Sequence, residues 1–352
     1  MKFNSKWTMF FLLFGVLLIV SGCGKKNEAR VLVDEPYSRT EFLMGTVVNV
    51  KIYNEGKEAV LDQAFDRIEE LAAKITVNEK GSEIDKVNAQ AGNEPVVVSD
   101  DVYELLKAAY TYSSESEGSF DMTIGPLTNL WHIGFDDARK PEQAEIDSTL
   151  PLIDYQQVEF DDQEHSVYLP KKEMLLDLGA IAKGYITDEV VKVLKADEVD
   201  TAIVDLGGNI FVLGHSPRAE NAEWNVGVQN PFETRGEILG SLPVTNQTIV
   251  TSGIYERFIE VEGVNYHHLL DPDTGYPFEN DLAGVSIVTD KSIDGDGLST
   301  VIFSKGLKAG LDFVNQRENV EAIFVTKDRS VYVSDGLKKS FHLNDDGFTL
   351  KN

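Results

Sequence analysis

Two hydrophobic periods alternate along the chain and mark out its elements. Val48, Val50 and Ile52 fall on every second position, which predicts a strand over Met44 to Tyr53 with one face inward. From Glu58 to Ile75 the period changes. Leu61, Ala64, Phe65, Ile68, Leu71, Ala72 and Ile75 recur at three- and four-residue steps and share one face of a helix. A second helix is expected over Asp100 to Ser113, with Ser99 as N-cap and Val102, Leu105, Leu106 and Ala109 turned inward. Ala182 to Leu194 and Leu298 to Asn315 read as further helices. Thr201 to Leu213, Trp224 to Gln229 and Leu282 to Val288 read as strands, and Ala322 to Val333 as a hairpin around Lys327-Asp328-Arg329-Ser330. Strands and helices mix without strict βαβ alternation, so the expected class is α+β with mixed, largely antiparallel sheets rather than a doubly wound sheet.

The N-terminus has a pattern of its own. Lys2 and Lys6 flank the start of an apolar stretch, Trp7 to Val20, too short for a comfortable membrane span. It ends in Val20-Ser21-Gly22-Cys23, small residues before the only cysteine of the chain. This resembles a bacterial lipoprotein lipobox. It implies a signal peptide over residues 1–22, a diacylated Cys23 and a location on the outer side of the cell membrane. The polar residues 23–37 read as a tether and 38–352 as one domain, since no repeat, low-complexity block or Pro-rich linker divides them. One cysteine excludes an intramolecular disulfide and a thiolate metal cluster.

Charge narrows the partners. The chain has 59 acidic residues against 32 lysines and arginines, a formal net charge of −27. Removing residues 1–22 takes away two lysines and no acid, which moves it to −29. Such a surface argues against nucleic acid and against tight contact with anionic lipid headgroups. A phosphate-bearing ligand then needs a metal ion or local cations.

Candidate chemistry follows. Leu175-Leu176-Asp177-Leu178-Gly179-Ala180-Ile181-Ala182-Lys183-Gly184 delivers a carboxylate, a glycine turn and a lysine able to open a helix. That order suits a ligand with a polar heterocycle and phosphates, although an ordinary strand end has the same residues. Ile203-Val204-Asp205-Leu206-Gly207-Gly208-Asn209 echoes it. In Asp294-Gly295-Asp296-Gly297-Leu298-Ser299-Thr300, a helix beginning near Gly297 puts Asp296 at its cap and Thr300 one turn on. Their oxygens then converge on a hard cation such as magnesium; a plain N-cap is the alternative. His267 and His268 are adjacent, so in a strand at most one faces a given site, and Asp271-Pro272-Asp273-Thr274-Gly275 after them reads as a turn. Six histidines without an H-x-x-x-H pair make zinc a poor candidate. Ser116-Glu117-Gly118-Ser119-Phe120-Asp121 forms a glycine-hinged loop suited to flank a flat ring or simply to pack. Met44-Gly45-Thr46 is a small turn, and Thr251-Ser252-Gly253-Ile254-Tyr255-Glu256-Arg257 offers hydroxyls and a guanidinium.

In this order, from about Phe42 to Leu311, these motifs closely resemble the ApbE family of FAD:protein FMN transferases. The resemblance implies an ApbE-like fold of two intimate subdomains. It also implies an Mg2+-dependent enzyme that transfers FMN from FAD through a phosphoester bond to a Thr or Ser hydroxyl of exported acceptor proteins, namely electron-transfer proteins, and releases AMP. Carried over residue by residue, Met44, Asn78, Ser119, Phe120, Asp121, Asp177, Lys183, His268 and Leu269 line the FAD site. The Ala180 carbonyl, Asp296 and Thr300 hold the magnesium, and His268 is the base for the acceptor hydroxyl. Where many relatives place a tyrosine against the flavin, this chain has Asn78. That departure leaves room for an FAD pyrophosphatase giving FMN and AMP. A flavin-binding lipoprotein without catalysis is the reading from another class.

Overall fold

The computed structural model describes residues 31–77, 80–234 and 236–351; the signal segment, Cys23 and Asn78 lie outside the described residues. The alternating segments build one nine-stranded sheet. In chain order its strands are β1 (Leu32–Leu43), β2 (Thr46–Asn54), β3 (Ala202–Leu206), β4 (Asn209–Leu213), β5 (Gln247–Gly253), β6 (Leu282–Thr289), β7 (Val320–Thr326), β8 (Ser330–Val333) and β9 (Thr349–Leu350). They lie side by side in that same order, each pair antiparallel except β8 with β9. Smaller sheets form beside it, among them one in which Ile238–Val244 pairs with Trp224–Gln229 and with His342–Leu343. The class is α+β and largely antiparallel, and the residues from Leu32 onward form one compact unit.

Strand periodicity sends alternate residues to opposite faces of the sheet. Val50, Val204 and Phe211 join the core under helices α1 (Val60–Ile75), α2 (Asp100–Glu115) and α3 (Ala182–Ala196). Val285, Ile287 and Phe324 pack with Leu298, Ile302 and Phe303 of α4 (Ser292–Asn315). Their strand neighbours Val212, Val288 and Ile323 meet Trp224, Val226 and Leu242 of the small sheet.

Several local expectations are corrected. Residues 32–37, assigned to the tether, belong to β1. As an edge strand with no fully buried residue, β1 carries polar side chains at half-buried positions, so the hydrophobic pattern conceals it. Leu175 and Leu176 form no ladder; Leu175 makes only an isolated bridge with Ile124. The echo motif is the β3–β4 hairpin: Gly207 and Gly208 both have positive φ, 65° and 95°, and Asp205 Oδ1 accepts the Gly208 N–H at 2.9 Å. Ser99 stands at the N-cap of α2, but its hydroxyl has no hydrogen-bond partner there; Glu83 takes the Ser99 N–H instead. Helix α4 begins at Ser292, not near Gly297, so Asp296 lies inside the helix rather than at its cap. The cap is Asp188, whose two oxygens accept the N–H groups of Ser292 (2.8 Å) and Ile293 (3.0 Å). Gly306, at φ 70°, kinks the same helix.

Candidate active site

The motifs converge on one cavity of about 1080 Å³. Met44, Ser119, Phe120, Asp121, Asp177, Ala180, Lys183, His268, Leu269, Asp296 and Thr300 all stand in its wall. Met44 and Gly45 form the two-residue turn between β1 and β2, with φ of 53° and 70°. A side chain in that left-handed region costs roughly 1–2 kcal/mol, and here it is held at the cavity wall.

Asp177 fastens the turn that leads into α3. Its Oδ1 accepts the Gly179 N–H at 2.8 Å and its Oδ2 accepts the Thr128 hydroxyl at 2.7 Å. Lys183 and Gly184 then open the helix and bring it against α4. A Cβ on Gly184 would lie 2.2 Å from the Ser292 carbonyl oxygen, so only glycine permits this crossing. Through it, the Gly184 N–H reaches Asp296 Oδ2 at 2.5 Å and Lys183 Nζ stands 3.7 Å from Asp296 Oδ1.

Asp296 is 3% exposed. Burial pushes its carboxyl above the ordinary range, while Lys183 and the Gly184 N–H pull the other way. The buried Asn209 amide nitrogen itself has no hydrogen-bond partner. Thr300 stands half-buried one turn further along α4. Ser299 between them is committed to structure: its hydroxyl donates to the Asp296 carbonyl (2.7 Å) and meets Ser252 Oγ of β5 (2.8 Å).

Among the described residues no group of three or more histidine, cysteine or acidic side chains could hold a metal. The donors available are one under-compensated carboxylate, a hydroxyl and backbone carbonyls. That all-oxygen, incomplete set fits a magnesium ion that completes its shell with substrate phosphate and water.

The 116–121 loop is fixed mainly by Asp121. Its Oδ1 accepts the N–H and hydroxyl of Thr123, each at 2.7 Å, and its Oδ2 accepts the Tyr155 N–H at 3.1 Å. Burial raises the pKa of this carboxyl. Ser119 donates to the Ser116 carbonyl and accepts from Ser304, both at 3.0 Å. Phe120 is largely covered and turns its ring edgewise to Tyr112, leaving a small apolar face at the wall.

The two histidines part as expected. His267 is buried, its Nε2 directed to the Phe278 carbonyl at 3.1 Å. His268 faces the cavity, and its Nδ1 lies 3.2 Å from the Arg257 carbonyl oxygen. A carbonyl only accepts, so Nδ1 carries the proton and Nε2 keeps its lone pair. Burial pushes the His268 pKa down to about 4; the Arg257 carbonyl opposes this, and the Arg257 and Lys183 charges add to it.

Sequence reasoning missed Thr128, which holds Asp177, and the stacked rings of His132 and Phe135 in the wall, 4.1 Å apart. Thr128 has no local signal, because its partner Asp177 is 49 positions away; the His132–Phe135 stack is local, but only the fold sets it in the wall.

A wall that pairs a buried carboxylate with a lysine, and sets a neutral histidine beside them, belongs to an enzyme acting on a phosphate-bearing substrate. The chain belongs to the ApbE family, whose model matches residues 44–324. It is 39% identical over 314 residues to the FAD:protein FMN transferase of Klebsiella pneumoniae, covering 89% of this chain and 96% of that one. It is 35% identical over 366 residues to the enzyme of the same name from Treponema pallidum, covering both chains fully. Among solved structures, the ApbE protein of Thermotoga maritima matches with a TM-score of 0.78 and 30% identity over 87% of this chain and 99% of that one. The apo flavinyl transferase ApbE of Pseudomonas stutzeri matches at 0.76 and 26%, over 88% and 98%.

Proposed function

We propose that this protein transfers FMN from FAD to a threonine or serine hydroxyl of an exported acceptor protein. The observation that carries the reading is the placing of Asp296, Lys183 and His268 around one cavity of dinucleotide size. The acceptor oxygen bonds to the phosphorus nearer the flavin. The bond from that phosphorus to the bridging oxygen breaks, AMP leaves with that oxygen, and the hydroxyl proton passes to His268 Nε2. Lys183 offsets phosphate charge, and the wall from Met44 to Leu269 holds and orients the flavin nucleotide. Asp296, Thr300 and the Ala180 carbonyl would hold Mg2+, which when bound supplies Lewis-acid neutralisation of the phosphate oxygens. The lipobox-like segment supports attachment through Cys23 to the outer face of the cell membrane. No described helix is long and apolar enough to cross a membrane.

Intact-mass spectrometry tests the reading. An acceptor protein with an exposed threonine segment, incubated with the enzyme, FAD and Mg2+, should gain the mass of one FMN residue, and EDTA should abolish the gain. Free FMN and AMP without a gain would make the protein an FAD pyrophosphatase. Unchanged FAD would leave only binding.

A further inference from the structure

Among the described residues, Lys183 and Arg257 are the only lysine or arginine in the cavity wall, in a chain of formal charge −27. Lys183 is shared with the Asp296 carboxylate. Arg257 is exposed and makes no ion pair with any described residue.

Its stem is nevertheless seated. A Cβ on Gly134 would come within 2.9 Å of Arg257 Cδ, and one on Gly45 within 3.9 Å of its Nη2. Gly134, at φ 103°, therefore leaves the trench in which the stem lies, and the guanidinium reaches toward the Met44-Gly45 turn. The backbone is tied just as closely to the candidate base: the Arg257 carbonyl faces both the N–H and Nδ1 of His268, at 3.1 and 3.2 Å. His268 feels the charge of both cations. Both cations therefore share one cavity wall with the histidine, within electrostatic reach of it.

We propose that Arg257 binds the phosphate groups of the dinucleotide substrate, as a second cation beside Lys183. The identity of that substrate rests on the flavin-transfer reading above. A guanidinium presents paired N–H donors to phosphate oxygens, a geometry lysine cannot reproduce. Glu69, Glu233 and Glu256 also stand in the wall, so without Arg257 a diphosphate would meet mostly like charge.

The test titrates FAD, with Mg2+ present, into full-length wild type, Arg257→Gln and Arg257→Lys, following flavin fluorescence at low and high salt. Arg257→Gln should weaken FAD binding roughly 10- to 100-fold, the loss of one charged hydrogen-bonding group. It should also flatten the salt dependence of the affinity, a change that loosened packing would not produce. Arg257→Lys should lie between, with the salt dependence kept, and carries the test if the glutamine variant fails to fold. Unchanged FAD affinity and salt slope would overturn the proposal. A rise confined to the acceptor protein's KM would also overturn it and move Arg257 to acceptor docking. Wild type that binds FAD yet transfers no FMN would sink the activity proposal and leave this one standing.

Discussion

At the scale of residues, burial acts oppositely on the two groups, opposing the charge of the Asp296 carboxylate and favouring the neutral His268 imidazole, and each makes a separate prediction. The Asp296 carboxylate is buried with one backbone N–H at 2.5 Å and a lysine at 3.7 Å, too little to offset loss of solvent on its own. Asp296→Asn removes the charge while keeping the shape. It should cut flavin transfer by more than about a hundredfold, since charge stabilisation at a phosphoryl centre is lost. It should leave the melting temperature unchanged or raised, because a buried carboxylate is exchanged for a neutral amide. Full turnover of this variant in magnesium buffer would refute the metal assignment. His268 predicts a pH profile. Its pKa lies near 4, so the imidazole is neutral and able to accept a proton at every pH well above that. Lowering the pH through about 4 protonates it and removes the base. The acid limb of the transfer rate should therefore fall near pH 4, and an inflection at the ordinary histidine value would contradict the assignment. His268→Ala should retain FAD binding and slow transfer about 10²–10⁴-fold, the usual contribution of a positioned base. Equal loss of binding and transfer would argue for a role in holding the flavin instead.

At the scale of elements, the site depends on the crossing of α3 and α4. Gly184→Ala puts a methyl group 2.2 Å from the Ser292 carbonyl oxygen, a backbone atom that has no rotamer with which to move aside. The helices must separate, at a cost of roughly 1–3 kcal/mol, and the Lys183, Gly184 and Asp296 contacts lengthen with them. Chemical denaturation should show the loss of stability, and transfer activity should fall further than stability alone accounts for. An active variant of wild-type stability would show that the crossing is looser than the geometry states. The same crossing explains what sequence reasoning could and could not reach. Helix α1 was legible because its seven apolar positions lie on one face and its interior is strongly helix-forming. The start of α4 was not, because Gly295 and Gly297 look like breakers when read locally. In the fold they are the residues that let the helix lie against Val250 and Tyr112, and Asp188 supplies the cap from 104 positions away. Edge strand β1 was hidden for the opposite reason: its burial alternates from Tyr37 to Leu43, but polar Arg39 and Glu41 take half-buried positions while Phe42 is exposed. The Asp205-Leu206-Gly207-Gly208 echo suits a ligand turn and an ordinary strand end alike, and only the strand pairing shows it to be a tight hairpin.

For the molecule as a whole, the nine strands follow one another across the sheet in chain order, yet the site gathers residues from Met44 to Thr300. Each motif was visible in the sequence, but their meeting was legible only through the family resemblance, since no single spacing brings them together. Thr128 stayed outside the assigned set because its partner Asp177 is distant in the chain, and the Arg257 guanidinium, visible in its motif, was left without a role because only the fold seats it near Gly134 and Gly45. Charge makes the last prediction, about where this body is held. With residues 1–22 removed the formal charge is −29, so the folded part is repelled by anionic headgroups and gains nothing from them. Attachment then rests on the acyl chains proposed for Cys23, and two chains anchor stably where one binds only reversibly. Full-length protein should therefore stay with membranes through high-salt washing, which strips proteins held by surface charge. A chain beginning at Gly24 should remain in the soluble fraction and fail to bind anionic vesicles at any ionic strength. Cys23→Ser should incorporate no labelled fatty acid in cells. Labelling of that variant, or vesicle binding by the shortened chain, would show that something other than Cys23 carries the protein to the membrane.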